Sequence, residues 1–189
     1  LIPVLIDGEG KSIEIIKPAA VVDCILAKKN LGTNIHMAPA VIGVGPGFTA
    51  GVDVHAVVET KRGHDLGRVI WKGSASPNTG IPGDIEGYTS ERLIRATADG
   101  TLRIIKDIGQ LVKRGDKLCE INGEYVTATI DGLIRGMIME GSWVYKGMKI
   151  GDIDPRGDKV NCYTISDKAR AVGGGVLEAL LNIMDRSVV

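Results

Sequence analysis

Along the first half of the chain, apolar residues come in short unbroken runs rather than in helical stripes. Ile2 to Ile6 predicts a strand, ended by Asp7-Gly8-Glu9-Gly10, and Ser12 to Ile16 predicts a short helix stopped near Pro18. Ala19 to Ala27 is continuous enough to predict a strand buried on both faces, and Ala40 to Val44 predicts another that enters a glycine-rich loop. Val52 to Thr60 and Arg68 to Trp71 look β-rich, with a charged turn between them, and loop chemistry dominates from Lys72 to Gly87. The period changes only after Asp154-Pro155-Arg156-Gly157. There Ala169, Val172, Val176, Leu180 and Ile183 fall at helical spacing behind a Ser166-Asp167 cap. Gly173-Gly174-Gly175 inside that helix costs about 2–3 kcal/mol relative to alanines. Such a weakness makes sense where something must approach the helix closely.

Between these regions the chain repeats itself. Ala96-Thr97-x-Asp99-Gly100-x-x-Arg103 recurs as Ala128-Thr129-x-Asp131-Gly132-x-x-Arg135, at an offset of 32 residues. Gly109-x-x-Val112-x-x-Gly115-x-Lys117-Leu118 recurs at the same offset of 32, as Gly141-x-x-Val144-x-x-Gly147-x-Lys149-Ile150. Two copies are too few for a solenoid and suit two similar β-halves that close on each other. The joint between them reads Asn122-Gly123, the strongest short hairpin signal, because both central residues of a type I′ turn need positive φ. This module resembles the barrel-sandwich hybrid of biotinyl and lipoyl carriers, which present a modified lysine at that tip. The tip here, Asn122-Gly123-Glu124, has no lysine, so neither biotin nor lipoate is expected and the module reads as scaffold or docking platform. The expected fold class is α/β plus β. A Rossmann-like remnant in a β-rich first domain spans residues 1–92, the duplicated module spans 93–155, and a C-terminal helix at 156–189 packs back on the first domain.

The bulk composition narrows the function. A chain of 189 residues can bury a real core, and a formal net charge of zero argues against a polyanion-binding surface, hence against nucleic acid. No apolar run reaches the roughly 20 residues of a membrane span. Cys24, Cys119 and Cys162 are odd in number and scattered, which points away from a disulfide framework and toward a reducing cytoplasm. The first residue, Leu1, opens a short apolar run that needs neighbours, so further chain upstream is expected.

Three segments could carry chemistry. Gly43 to Gly51 follows a strand, and backbone amides around Gly45, Gly47 and Thr49 could cradle phosphate. A dinucleotide fingerprint also needs a helix to open next, whereas Gly51-Val52-Asp53-Val54 reads as strand; a structural turn stays open beside a ligand-facing one. Lys61 to Arg68 gathers Arg62, His64 and Arg68 around glycines, suited to phosphate or carboxylate, or equally to a solvated turn with internal ion pairs. Asn78 and Thr79 lie in a rigid polar loop, Ser76 to Gly83. Cys162 precedes the helix, with Lys168 and Arg170 near in sequence; it is either a thiolate nucleophile or a small buried residue. His36, His55, His64 and the cysteines lack metal-ligand spacing, so no metal is expected.

Read together, several stretches carry a family resemblance: Val21 to Thr33, Gly45 to Gly51, Glu59 to Arg68, Pro77 to Gly83 and Cys162 to Ala179. The chain resembles the YqeB family, the selenium-dependent molybdenum hydroxylase system proteins. The resemblance implies a cytoplasmic accessory protein that helps mature hydroxylases of the xanthine dehydrogenase type, with self-association left open. It implies a molybdopterin-type ligand, the cytosine dinucleotide form included. The expected binding residues are Gly45, Gly47, Thr49, Arg62, His64, Arg68, Asn78, Thr79, Lys168 and Gly174. The alternative is a Cys162 persulfide or selenopersulfide carrier that passes sulfur or selenium to the molybdenum cofactor.

Overall fold

The apolar runs of the first half do become strands, but shorter ones than the sequence suggests. A computed structural model describes residues 1–80, 83–157 and 162–186, and the backbone alone for Arg186. The fold is mixed α/β and rich in β-structure, and it divides into two compact units, Leu1–Thr79 with Ser166–Val189, and Gly80–Ile165. The sequence pattern places the first boundary at 92/93; the structure gives the polar stretch from Gly80 onward to the second unit instead.

In the first unit, α1 (Ser12–Ile16) precedes a four-stranded sheet in the order β1 (Ala20–Asp23), β2 (Ala40–Val44), β3 (Ala56–Val58), β4 (Val69–Ile70). The first three strands run parallel and β4 pairs antiparallel with β3. Period-two alternation splits the core. Val41 and Val57 point to one face with Phe48, Ala50, Val54 and Ala75. Ile42, Ala56 and Val58 point to the other, where they meet Ala179 and the half-buried Val172, Val176, Leu180 and Ile183 of α2 (Asp167–Arg186). Ser166 Oγ accepts the Ala169 N–H at 3.1 Å, which caps the helix as its sequence predicts.

Three expectations are corrected here. Residues 2–6 form no strand, and Ile2, Val4, Leu5 and Ile6 are exposed; an apolar run with no strand beside it leaves its backbone unpaired. The run Ala19 to Ala27 yields a strand only to Asp23, and that strand is a partly exposed sheet edge rather than a buried centre. Val52 and Asp53 are turn rather than strand, because both of their N–H groups bond the Thr49 carbonyl and the Asp53 carboxylate accepts the Thr49 N–H at 2.8 Å.

The second unit turns the sequence repeat into a pseudo-two-fold. After a 3-10 turn at Ser90–Arg92, β5 (Leu93–Arg95), β6 (Gly100–Ile104), β7 (Leu111–Val112) and β8 (Lys117–Ile121) correspond to the second half's β9 (Glu124–Thr127), β10 (Gly132–Met137), β11 (Trp143–Val144) and β12 (Lys149–Asp154). The two sheets are β5-β12-β10-β7 and β11-β6-β8-β9, so each half lends strands to the other's sheet. The hydrogen bonds repeat with the residues. Gly147 N–H to Ala96 C=O matches Gly115 N–H to Ala128 C=O, both at 2.8 Å. Lys146 N–H to the Asp99 carboxylate, 2.6 Å, matches Arg114 N–H to Asp131, 2.8 Å. The core is paired too: Leu102 with Ile134, Val112 with Val144, Leu118 with Ile150, Ile121 with Ile153, all buried. Asn122 and Gly123 take φ of 50° and 83°, as a type I′ hairpin requires.

Candidate functional site

The parallel strands β1, β2 and β3 all deliver their carboxyl ends to one edge of the first unit's sheet, so the loops Cys24–Pro39, Gly45–His55 and Glu59–Arg68 gather there. Open parallel sheets bind ligands at such edges. What holds the loops is Glu59, the residue that ends the apolar run of β3. Its side chain is buried, and Oε1 accepts the Thr60 and Lys61 N–H groups at 2.7 Å each, while Oε2 accepts the Ser76 N–H at 2.7 Å. Burial alone would raise its pKa, but these N–H bonds, with one from the Ser76 hydroxyl, outweigh it and hold the carboxyl below the ordinary glutamate value.

The glycines at this edge are there for close backbone approach. A Cβ on Gly45 would stand 2.9 Å from Thr60 Oγ1, and one on Gly47 would stand 2.8 Å from the Lys29 backbone. The space beside these two glycines is thus filled by the chain's own 26–29 and 59–60 loops rather than left open. No helix opens after the loop, so the dinucleotide fingerprint is not completed. Thr49 spends its hydroxyl on Ser74 Oγ at 3.1 Å.

Helix α2 is brought to the same edge by a second close approach. A Cβ on Gly175 would lie 2.1 Å from the Gly67 carbonyl oxygen, and one on Gly67 would lie 2.5 Å from the Ala171 carbonyl oxygen. So the helix and the Glu59–Arg68 turn touch backbone to backbone, which accounts for Gly175, the last of the three consecutive glycines. With the helix seated there, Asp167 meets Arg62 in a bidentate pair, Nη1–Oδ2 2.7 Å and Nη2–Oδ1 3.1 Å. One residue on, Lys168 is half-buried. Its pKa is lowered by burial first and then by the positive charges of Lys28 and Arg62, against the opposing pull of Glu59 and Asp167. Lys28 itself sits at φ 66°, in the left-handed region that a lysine rarely takes.

Of the residues expected from sequence, the structure gathers Gly45, Gly47, Arg62 and Lys168 at this edge. His64 and Arg68 are exposed on the same turn, where Arg68 pairs with Asp65 at 2.9 Å. Asn78 and Thr79 are exposed at the end of the first unit, while Ile81 and Pro82 of the same motif lie outside the described residues. Gly174 is exposed, with nothing within 4 Å of an added Cβ, on the side of α2 turned away from the sheet. Cys162 is a half-buried free thiol assigned to the second unit, whereas Lys168 and Arg170 belong to the first. Lys28, Glu59 and Asp167 were missed as site residues; the one available signal was a carboxylate at the end of an otherwise apolar strand. A separate open groove of about 1100 Å³ includes Lys11, Lys17, His36 and His55 in its lining and none of the expected residues. Among the described residues, no cluster of His, Cys, Asp and Glu could hold a metal, and no helix is long and apolar enough to cross a membrane.

Comparison with known proteins adds a relative. Over 187 residues the chain is 52% identical to the uncharacterized protein YqeB of Escherichia coli K12, which covers 99% of this chain. That match supports membership of the YqeB family. The chain spans 35% of the length of that relative. No family model matches. Among solved structures, an aspartoacylase family protein of Mesorhizobium loti aligns over 34% of this chain and 23% of its own, at 11% identity and TM-score 0.31. The ectoine utilization protein EutE (DoeB) of Ruegeria pomeroyi aligns over 44% of this chain and 28% of its own, at 18% identity and TM-score 0.31. Likenesses this slight carry no argument about fold or function.

Proposed function

We propose that this chain belongs to an accessory protein for the maturation of selenium-dependent molybdenum hydroxylases. In this reading it binds a phosphate-bearing molybdopterin-type cofactor, such as the cytosine dinucleotide form, and hands it to a client hydroxylase of the xanthine dehydrogenase type. The observation that carries the binding step is the convergence of Lys28, Arg62 and Lys168 at the carboxyl edge of a parallel sheet. The charge of Lys168, disfavoured by burial and then by Lys28 and Arg62, is stabilised when an anion enters beside it. The first turn of α2 adds the positive end of the helix dipole. In the same reading the first unit is a Rossmann-like remnant. The second is a barrel-sandwich-hybrid-like module with a blunt tip, a stiff platform on which the client docks in the cytoplasm.

The geometry shifts emphasis within the expected site. Gly45 and Gly47 shape the edge by packing, their Cβ sides being closed by Thr60 and Lys29, and in this reading the cations carry most of the affinity. Both Nη groups of Arg62 already donate to Asp167, so a phosphoryl group entering there competes with that carboxylate for the planar fork. Isothermal titration with pyrophosphate, cytidine diphosphate and molybdopterin cytosine dinucleotide tests the proposal. The expected result is salt-dependent binding that Arg62→Ala with Lys168→Ala weakens by about tenfold or more, since each lost charge-assisted bond is worth roughly 1.5–3 kcal/mol. Unchanged affinity in that variant overturns the site.

A further inference from the structure

Helix α2 is apolar on two sides. One side, Val172, Val176, Ala179, Leu180 and Ile183, covers the sheet. The opposite side carries Leu177, Leu181 and Met184, which are 55%, 59% and 44% exposed, above a notch left by Gly173 and Gly174. A surface helix needs a single apolar stripe to seat it on its own core. The second stripe, with a gap at one end and bulk at the other, calls for a helix that fits it.

We propose that this solvent face of α2 is a self-complementary docking surface for the α2 of a second copy of the chain, packed antiparallel. The register follows from the residues. Place Leu177 and Glu178 at a two-fold axis and lay the second helix in the opposite direction. Gly174 then lies opposite the partner's Leu181, so that each leucine enters the opposing glycine notch. In the same register Arg170 lies opposite the partner's Asp185, and both are exposed on this face. The arrangement satisfies the isologous rule: each copy offers the same notch, the same knob and both charges. It also sets the positive N-terminal end of each helix beside the negative C-terminal end of the other.

A parallel pair loses all of this. It sets Arg170 against the partner's Arg170, Asp185 against the partner's Asp185, and glycine notch against glycine notch, with nothing to fill the gap. The Arg170–Asp185 pairing and the leucine-in-notch fit therefore select the same orientation, at the cost of setting Leu177 beside the partner's Glu178 at the axis. The glycines divide the work accordingly: Gly175 admits the Gly67 carbonyl on the buried side, while Gly173 and Gly174 are left open on the other.

The test is sedimentation equilibrium of the full chain over a range of concentrations. The expected result is a reversible dimer of 20.0 kDa chains. Leu181→Glu, on an exposed position, should weaken association by about tenfold or more while far-ultraviolet circular dichroism keeps its helical signal. Arg170→Asp alone and Asp185→Arg alone should each weaken the dimer, and the two together in one chain should restore it. A chain that stays monomeric up to about 1 mM, a dimer that ignores Leu181→Glu, or a charge swap that fails to restore association would each overturn the proposal.

Discussion

Replacing Gly175 by alanine should destabilise the first unit, although alanine is the better helix former. Propensity alone favours Gly175→Ala by about 0.8–1 kcal/mol. Against this, the new methyl would stand 2.1 Å from the Gly67 carbonyl oxygen and 2.9 Å from Val58 Cγ1. Comfortable contact lies near 3.5–4 Å, so α2 must withdraw by about an ångström or more. The obstacle is backbone and cannot swing aside as a long side chain would. Withdrawal loosens Val176 and Ala179 from Ile42, Ala56 and Val58, at a cost toward the upper end of the roughly 1–3 kcal/mol of overpacking. The net expectation is a loss of about 1–2 kcal/mol. Gly173→Ala is the control, because nothing lies within 4 Å of its added Cβ, so it should gain about 0.8–1 kcal/mol. For a chain of this size the two variants should melt roughly 5–10 °C apart. Far-ultraviolet circular dichroism reads α2 directly, and dilute samples keep association out of the comparison. If Gly175→Ala melts at or above Gly173→Ala, the backbone contact does not hold the helix where it is described.

Glu59→Gln should cost about 2–3 kcal/mol at neutral pH, since the amide turns a donor toward one of the three N–H groups that the carboxylate accepts. Because the folded pKa is lowered, the Glu59 contribution is present above the unfolded value of about 4.3 and fades as pH falls through the folded one. Urea midpoints of wild type and variant should therefore converge in acid, and a gap that persists there would refute the carboxylate's role. Asn122→Ala should lose about 1 kcal/mol by placing alanine at φ 50°, whereas Asn122→Gly should be near neutral in thermal melting. Asp154→Asn should cost about 3 kcal/mol in urea denaturation, because the buried carboxylate holds Arg156 at 2.6 Å and Arg135 at 3.5 Å. Burial would raise its pKa, yet Arg156 and then Arg135 pull it below the ordinary aspartate value. That contribution, too, should vanish as pH falls through the folded value.

How much could be seen in the residues beforehand depended on whether the physics was local. The hairpin at Asn122-Gly123 was legible because positive φ is a demand placed on two adjacent residues. The repeat was legible because its register recurs along the chain, and its hydrogen bonds recur with it. The glycine run in α2 announced that something comes close, but that this is the Gly67 carbonyl is a tertiary fact with no sequence trace. The glycine loop is legible only in part for a related reason. Gly45 and Gly47 signal a close approach, and on their Cβ sides that approach is made by Thr60 and Lys29. The long apolar run at Ala19 to Ala27 promised a central strand, because pattern cannot distinguish an interior position from an edge. Lys28 and Glu59 escaped notice for want of any spacing rule that joins residues from different loops.

The exchange of strands between the two halves of the second unit sets a limit on how that unit can be divided. Severed at Asn122-Gly123, the first fragment would lose β10 as the neighbour of β7 and the second would lose β6 as the neighbour of β11. Neither fragment could close an interior alone. Mixed together, however, they should find each other and reassemble, because every missing neighbour of one is supplied by the other.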